Sequence, residues 1–517
     1  MSVADPSPTA SRPGAALPLA AVAVLYTVAQ LALVVPGSYL GWDETVYISQ
    51  VGGNAPAAFF SAPRARGISY LVAPAASLTA SVTVLRVYLA LLSGLGLFVA
   101  LWAWRRLLPS SVLAWAGALF TGLWITLFYG PEAMPNLWSA LACLTAVGCF
   151  LRTVTGGRTN PLRPCAGMAA ATAVAAMMRP ADGGVLAAVL FTAAVAVPRR
   201  RHLPGVWAGL AGGTVVGLAP WIAEARTDYG GLLARLERAS QIQGGMGGHI
   251  ALDDQLVSLQ GWLLCRPCTA SWTQPVTGLW WLALPVFVAC GVRLAVRAGR
   301  TIPVVLAAAT GTALALPYLF TIDYAAPRFL LPAYALLALS VAECVRRVFH
   351  HPAANTRRLL VAATLAALLG HQAIQISVLH RAVAGQRASG EQLTAAAERL
   401  HRLGVRPPCT VSGVDAIRLA YYAGCASRQI GGHDGSITPA GLRRLARHRP
   451  VAYTTSASLG PTRPTYTQQW QSAELPMRDY TARVSPSART QRTGNTHTPQ
   501  QRTADDRPPL PAENPSG

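Results

Sequence analysis

Apolar residues in this chain fall into long blocks separated by short polar stretches, from residue 17 to residue 378. The first block, LPLAAVAVLYTVAQLALVVP over 17–36, has no charged residue in 20 positions. That is about the length a helix needs to cross a ~30 Å hydrocarbon core. Ten more blocks follow, over 83–104, 111–128, 133–151, 165–178, 183–197, 205–224, 278–292, 302–320, 329–345 and 357–378. Inside lipid the backbone must satisfy its own hydrogen bonds, so each block predicts a helix. The pattern predicts a mostly α polytopic bundle of about eleven spans, with a short, Ala-rich pair over 165–197.

After residue 378 the rhythm changes. GEQLTAAAERLHRLG reads as an amphipathic helix ended by Gly404. CTVSG (409–413) and PVAYTTS (450–456) read as strands, and DAIRLAYYAG and TPAGLRRLARHR as helices. The expectation is a small α/β domain over 379–480. From 481 to 517 the Arg/Thr/Pro/Gln/Ser-rich tail has too few apolar residues for a core and predicts disorder.

Composition agrees: 52% of the 517 residues are hydrophobic and only 12% charged, against about a quarter charged in soluble domains. The net charge of +22 raises nucleic acid as a partner, but the placement of the charge argues against it. All 43 strongly basic residues are Arg, and many sit in short connections between apolar blocks, as the positive-inside rule expects of cytoplasmic loops. With the N-terminus inside, the cytoplasmic loops carry Arg105 and Arg106; Arg152, Arg158 and Arg163; Arg199, Arg200 and Arg201; Arg293, Arg297 and Arg300; and Arg346, Arg347, Arg357 and Arg358. The opposite loops carry Asp43, Glu44, Glu132, Asp182, Asp228, Glu237, Asp253, Asp254 and Asp323. One lost span would invert every later loop, so this sorting supports the count. It predicts a multi-pass cell-membrane protein with residues 1–16 as a disordered cytoplasmic start, no cleavable signal peptide, and everything after 378 extracytoplasmic.

Two outer loops are long. Within 37–82, GISYLVAPAASLTA reads as an interfacial or re-entrant helix; 225–277 holds an amphipathic piece, a Gly-rich stretch and a second short helix. Gly205, Gly209, Gly213 and Gly217 line one face of the seventh span and predict close helix packing. Four cysteines lie outside the membrane. They predict disulfides Cys409–Cys425 and Cys265–Cys268 in an oxidising compartment, with half a zinc site as the alternative for C-x-x-C.

Chemistry concentrates in the predicted outer loops. GWDETVY (41–47) puts Asp43 and Glu44 a few residues from the lipid boundary, where carboxylates are costly unless paired or used. Such a position suits a base acting on a hydroxyl at the membrane surface. Glu132 lies in FYGPEAMPN, Arg179 and Asp182 in MRPADGG, Glu224, Arg226 and Tyr229 in APWIAEARTDYG, and Asp323, Tyr324 and Arg328 in DYAAPRFLLPAY. Arginine suits phosphate because its planar fork donates paired hydrogen bonds, although an Arg at a helix end often only snorkels.

These motifs, in this order and on this side, resemble the GT-C fold glycosyltransferases, the family of dolichyl-phosphate-mannose–protein mannosyltransferases and bacterial aminoarabinose transferases. Asp43-Glu44 matches the acidic pair of that family's first outer loop, and Glu132 an acidic turn between the third and fourth helices. Arg179-Pro180 matches an Arg-Pro turn before the sixth helix, Pro220-Trp221 and Tyr229-Gly230 a paired motif, and Arg328-Phe329-Leu330-Leu331-Pro332 an R-[YF]-L-x-P run. The likeness covers about 17–345. Where bacterial members carry Lys-Pro-Pro, this chain has Ser61-Ala62-Pro63-Arg64-Ala65-Arg66, with Arg64 or Arg66 in place of the lysine's charge.

The resemblance implies transfer of a sugar from a polyprenyl-phosphate donor to an extracytoplasmic protein, lipid or glycan, with inversion. Asp43 is then the base, with Glu44 as its neighbour in binding or orientation and Glu132 as a further catalytic residue. Arg328 is the first phosphate contact, and Arg179, Arg226, Tyr324 and Arg64 are further substrate-binding residues. No cofactor is implied with certainty, and a divalent cation is left open. A transporter and a non-catalytic envelope-assembly protein are the rival readings. The transporter is disfavoured because the span interiors read as nearly free of ionisable groups.

Overall fold

The structure, a computed structural model, describes residues 16–155, 162–196, 203–459 and 464–488. Nearly all of the expected N-terminal start, together with Arg158, Arg199, Arg200, Arg201 and the tail beyond 488, lies outside the described residues. In chain order the helices are α1 (Ala16–Leu33), α2 (Trp42–Ser49), α3 (Gly67–Ala76), α4 (Val82–Ala103), α5 (Ser110–Thr121), α6 (Trp124–Tyr129), α7 (Pro135–Thr155), α8 (Leu162–Met178) and α9 (Pro180–Val195). They continue with α10 (Leu203–Tyr229), α11 (Leu232–Ile242), α12 (Leu252–Ser258), α13 (Leu279–Arg297), α14 (Thr301–Phe320), α15 (Leu331–Phe349) and α16 (Ala354–Arg402). A five-stranded region follows: β1 (Thr410–Gly413), α17 (Ala416–Ala423), β2 (Ala426–Ser427), α18 (Pro439–His448), β3 (Val451–Ser456), β4 (Gln471–Glu474) and β5 (Tyr480–Val484).

Each of the eleven apolar blocks is helical. Among the described residues eight helices are long and apolar enough to cross a membrane, and α5, α8 and α9 are shorter apolar helices. The chain is a multi-pass membrane protein. It divides into two compact units. The first comprises the chain up to Pro36, Val87–Ala223 and Gln243–Ala382; the second comprises Gly37–Arg86, Glu224–Ile242 and Val383 onward.

In the first unit α7 and α15 are the interior helices, each 89% buried over its apolar window, and α15 packs on α5, α7, α13 and α14. Glycine builds one close approach. A methyl group at Gly213 or Gly217 of α10 would collide with the Ala169 or Ala173 carbonyl oxygen of α8, so the repeat is a packing face as its spacing predicts. The third span is broken. α5 ends at Thr121, Leu123 is extended, and α6 begins at Trp124. The Trp124 N–H released by the break donates to Gln375 Oε1 of α16 at 2.9 Å, which supplies the partner that lipid cannot.

In the second unit the strand order is β2-β1-β3-β5-β4. β1 pairs in parallel with β2 and β3, and β5 pairs antiparallel with β3 and β4. The core joins Leu393, Ala397 and Leu400 of α16 to Val411, Leu419, Ala452 and Val484. Cys409 and Cys425 are disulfide-bonded with Cα atoms 4.8 Å apart.

Three expectations need correction. The last span and the helix expected to end at Gly404 are one 49-residue helix, α16. Gly385 and Gly390 lie within it, since an isolated glycine costs a helix only about 1 kcal/mol. The α/β domain does not end at 480, because β5 runs to Val484 and pairs with β3. The span interiors are not free of ionisable groups, because Arg86 of α4 is fully buried and His371 lies in α16.

Candidate functional site

The predicted site residues form two clusters, one in each unit. In the second unit Gly41 precedes α2, and its N–H donates to Glu44 Oε2 at 2.8 Å, which closes the helix start. This puts Asp43 and Glu44 in the first turn of α2, where the helix dipole favours anions. Their environments diverge. Glu44 is 1% exposed and paired with fully buried Arg86, whose Nη2 also donates to the Tyr39 carbonyl at 2.7 Å. Asp43 is 32% exposed and accepts from Arg64 Nη2 at 2.9 Å.

Arg64 is the hub. Its Nη1 faces Asp434 Oδ1 at 3.2 Å and donates to Ser61 Oγ at 2.5 Å. Burial works against the Arg64 charge, but Asp43, Asp434 and Tyr47 outweigh it and hold the guanidinium above its usual range. Arg235 of α11 secures the segment from beneath, donating to the Ala62 carbonyl at 3.1 Å and the Arg64 carbonyl at 3.0 Å. Burial pulls the Arg235 guanidinium below its ordinary range while Glu224, 3.2 Å away, pulls the other way. Glu224 also takes Arg66 Nε at 2.5 Å. Arg226 lies on the exposed face of α10.

In the first unit the cluster is built on Phe329. The Arg179 guanidinium lies 5.2 Å from the centroids of both Tyr318 and Phe329, and Arg328 lies 5.4 Å from Phe329. Tyr324 meets the Phe329 ring edge-on at 5.7 Å. Arg328 is only 8% exposed and donates to the Leu263 carbonyl at 2.8 Å and to Tyr129 Oη at 3.3 Å. That carbonyl is held in place by its neighbours. Cys265 and Cys268 are disulfide-bonded, and Cys265 exchanges backbone hydrogen bonds with Ala325 at 2.9 and 3.2 Å. The C-x-x-C is therefore a disulfide staple beside the arginine cluster. Arg266, inside the staple, lies over Tyr324 at 4.4 Å.

Arg179 is oriented by Asp182, whose Oδ2 is 3.1 Å from Arg179 Nε and accepts from Ser139 Oγ at 2.9 Å. Tyr318 Oη donates to the other oxygen of Asp182. Glu132 is buried in the turn between α6 and α7. A largely apolar cavity of about 350 Å³ in this unit is lined by residues including Phe120, Trp280, Phe287, Tyr334, Val345 and His371.

The structure thus brings Asp43 to Arg64, and gathers Arg179, Tyr324 and Arg328 around one ring. Sequence reasoning did not single out Arg86, Arg235, Tyr318 or Asp434. Among the described residues no group of three or more His, Cys, Asp or Glu side chains is arranged to hold a metal ion.

No protein-family model and no curated protein sequence matches the chain. Solved structures do. ArnT from Cupriavidus metallidurans bound to undecaprenyl phosphate matches with a TM-score of 0.61 at 14% identity, over 90% of this chain and 98% of that one. The apo form of the same protein gives 0.60 at 13%, over 90% and 97%. The Archaeoglobus fulgidus oligosaccharyltransferase tethered to an acceptor peptide gives 0.53 at 12%, over 85% of this chain and 69% of that one. All are membrane glycosyltransferases, and what the chain shares with them across nearly its whole length is the GT-C fold.

Proposed function

We propose that the chain is a membrane glycosyltransferase that moves a sugar from a polyprenyl-phosphate donor to an extracytoplasmic acceptor, with inversion. The solved structure of like fold that holds undecaprenyl phosphate supports a lipid-linked donor, and the apolar cavity among α5, α13, α15 and α16 offers hydrocarbon contact. The observation that carries the reading is the contrast among the four acids of the second unit that pair with Arg64, Arg66 and Arg86. Asp43 is 32% exposed, whereas Asp434, Glu224 and Glu44 are 15%, 18% and 1% exposed.

Asp43 is the base. It takes the acceptor hydroxyl proton as the oxygen attacks the anomeric carbon opposite the phosphate, which departs as a stable anion with little need of an acid. Glu44 fixes α2 through Arg86 and so acts by orientation. Arg328 and Arg179 contact the donor phosphate, with Tyr324 shaping their pocket and Arg64 and Arg226 as further cations. Glu132 acts beside the phosphate contacts at the α6–α7 turn. The N-terminus is cytoplasmic, and the α/β domain lies on the acceptor side.

The test uses the purified full chain in lipid nanodiscs with a panel of undecaprenyl-phosphate sugars, following release of undecaprenyl phosphate and formation of glycosylated product. Asp43→Asn is expected to lower transfer by at least ~100-fold. Near-normal transfer at equal expression would reject Asp43 as base. Arg328→Gln is expected to raise the donor concentration required; unchanged donor dependence rejects the phosphate contact. Reporter fusions after α4 and α16 test the orientation.

A further inference from the structure

The sheet of the α/β region ends β2 at Ser427 and returns to α18 through Arg428–Thr438. That return is tied at its base. Gln429 N–H donates to Ser436 Oγ at 3.1 Å, and its carbonyl receives the Ser436 and Ile437 N–H groups at 2.8 and 3.1 Å. The Gln429 side chain clips the same base to the end of β1, donating to the Gly413 carbonyl at 2.9 Å and accepting from its N–H at 3.1 Å. Gly432 takes the left-handed conformation, φ +78°, at the bend. The product of these contacts is a closed loop whose acid, Asp434, reaches Arg64 at 3.2 Å.

We infer that Asp434 is a positioning residue for Asp43, acting through Arg64: by sharing the guanidinium it keeps Asp43 a stronger base than a one-to-one ion pair would. The inference rests on the proposed role of Asp43. A carboxylate alone with an arginine is held in its ionised form and becomes a weak proton acceptor. A second carboxylate on the same guanidinium supplies a like charge that opposes this effect. It also fixes which guanidinium edge faces Asp43, because Nη1 goes to Asp434 and Nη2 to Asp43.

The other charged or titratable groups around the triad come from each packed element. They include Tyr47 of α2, Arg66 of the same segment as Arg64, Glu224 and Tyr229 of α10, Arg235 of α11, and His433 beside Asp434. Arg66, Glu224 and Arg235 engage one another, while Asp43 and Asp434 both engage Arg64.

The experiment reads the Asp43 carboxyl directly. The full chain in nanodiscs is labelled with a carbodiimide and glycine ethyl ester across pH 3–8, and modification at Asp43 is quantified by mass spectrometry. Asp434→Asn is expected to move the Asp43 midpoint down by about one pH unit, and Asp434→Glu to keep it close to wild type. In an Arg64→Gln background, where no cation holds the two carboxylates together, Asp434→Asn is expected to move the midpoint by less. An unchanged or raised midpoint in Asp434→Asn, or an equal shift without Arg64, overturns the inference. Should Asp434→Asn fail to fold, a lost or displaced midpoint in folded Asp434→Glu overturns it instead. The labelling needs no turnover, so a shifted midpoint in a chain that transfers no sugar would reject the glycosyl-transfer reading and leave the Asp434–Arg64–Asp43 coupling intact.

Discussion

Arg86 and Glu44 form an ion pair with both side chains out of solvent, 0% and 1% exposed, and Arg86 Nη2 donates to Glu44 Oε2 at 2.8 Å. The pair joins the start of α4 to the start of α2, which carries Asp43 one residue away. Removing one partner leaves the other charge buried alone. Arg86→Met is therefore expected to cost about 3–5 kcal/mol, read as a large fall in the thermal midpoint of the purified chain. Glu44→Gln with Arg86→Met together should cost much less than the two changes summed. Additive losses would show that the pair is not the source.

Asp182 organises the first-unit cluster by taking Ser139, Tyr318 and Arg179 at once. Asp182→Asn keeps the shape but weakens charge-assisted hydrogen bonds, each worth about 1.5–3 kcal/mol. The expected result is a lower thermal midpoint and weaker retention of undecaprenyl phosphate in a lipid-binding assay. Tyr318→Phe, which keeps the ring beside Arg179, should show the same direction with a smaller effect. Undiminished retention in both variants would separate this cluster from phosphate binding.

The disulfide between Cys409 and Cys425 closes a loop of sequence separation 16 beside β1 and β2. Restricting the unfolded chain over a loop of that length contributes about 3 kcal/mol. Cys409→Ala with Cys425→Ala should lower the unfolding midpoint of the α/β region by hydrogen-exchange mass spectrometry, and a reducing agent should reproduce the change in the unaltered chain. No response to either would mean that the two thiols are unbonded in the isolated protein.

Burial pushes the phenols of Tyr421 and Tyr422 up to about 12, from an ordinary value near 10. A folded-state value above the unfolded one gives stability that is fully present below about pH 10 and lost as pH rises through 12. Denaturation midpoints of the α/β region are expected to fall across that window. Tyr422→Phe should flatten part of the fall, while losing the hydrogen bond that Tyr422 Oη accepts from the Leu40 N–H at 2.9 Å. A pH response unaltered by the substitution would place the titration elsewhere.

Most of the fold was legible because lipid enforces a simple code. An apolar block of spanning length has few conformational options, so the eleven helices could be read one block at a time. The interruption at Leu123 could not, because its compensating partner Gln375 is remote in sequence and lies in a block that reads as an ordinary span. β4 and β5 were missed because Gln471–Glu474 and Tyr480–Val484 are short and mostly polar, and their pairing with β3 is long-range. At the candidate site, the acids and arginines stood out in the sequence as residue types in the loops between apolar blocks. Their pairing did not. Arg235, within the amphipathic piece of the second long loop, is fully buried, and Asp434, which nothing in the sequence singles out, lies against Arg64 across 370 positions.

The interruption in the third span also bears on how the chain is made. The Trp124 amide meets its acceptor only when residue 375 is in place, 251 positions later. During insertion, water, a headgroup or the insertion machinery must hold that amide until α16 arrives. Closure of this part of the bundle therefore waits for α16, and truncation before residue 375 would leave an early helix with an unsatisfied polar group in the bilayer.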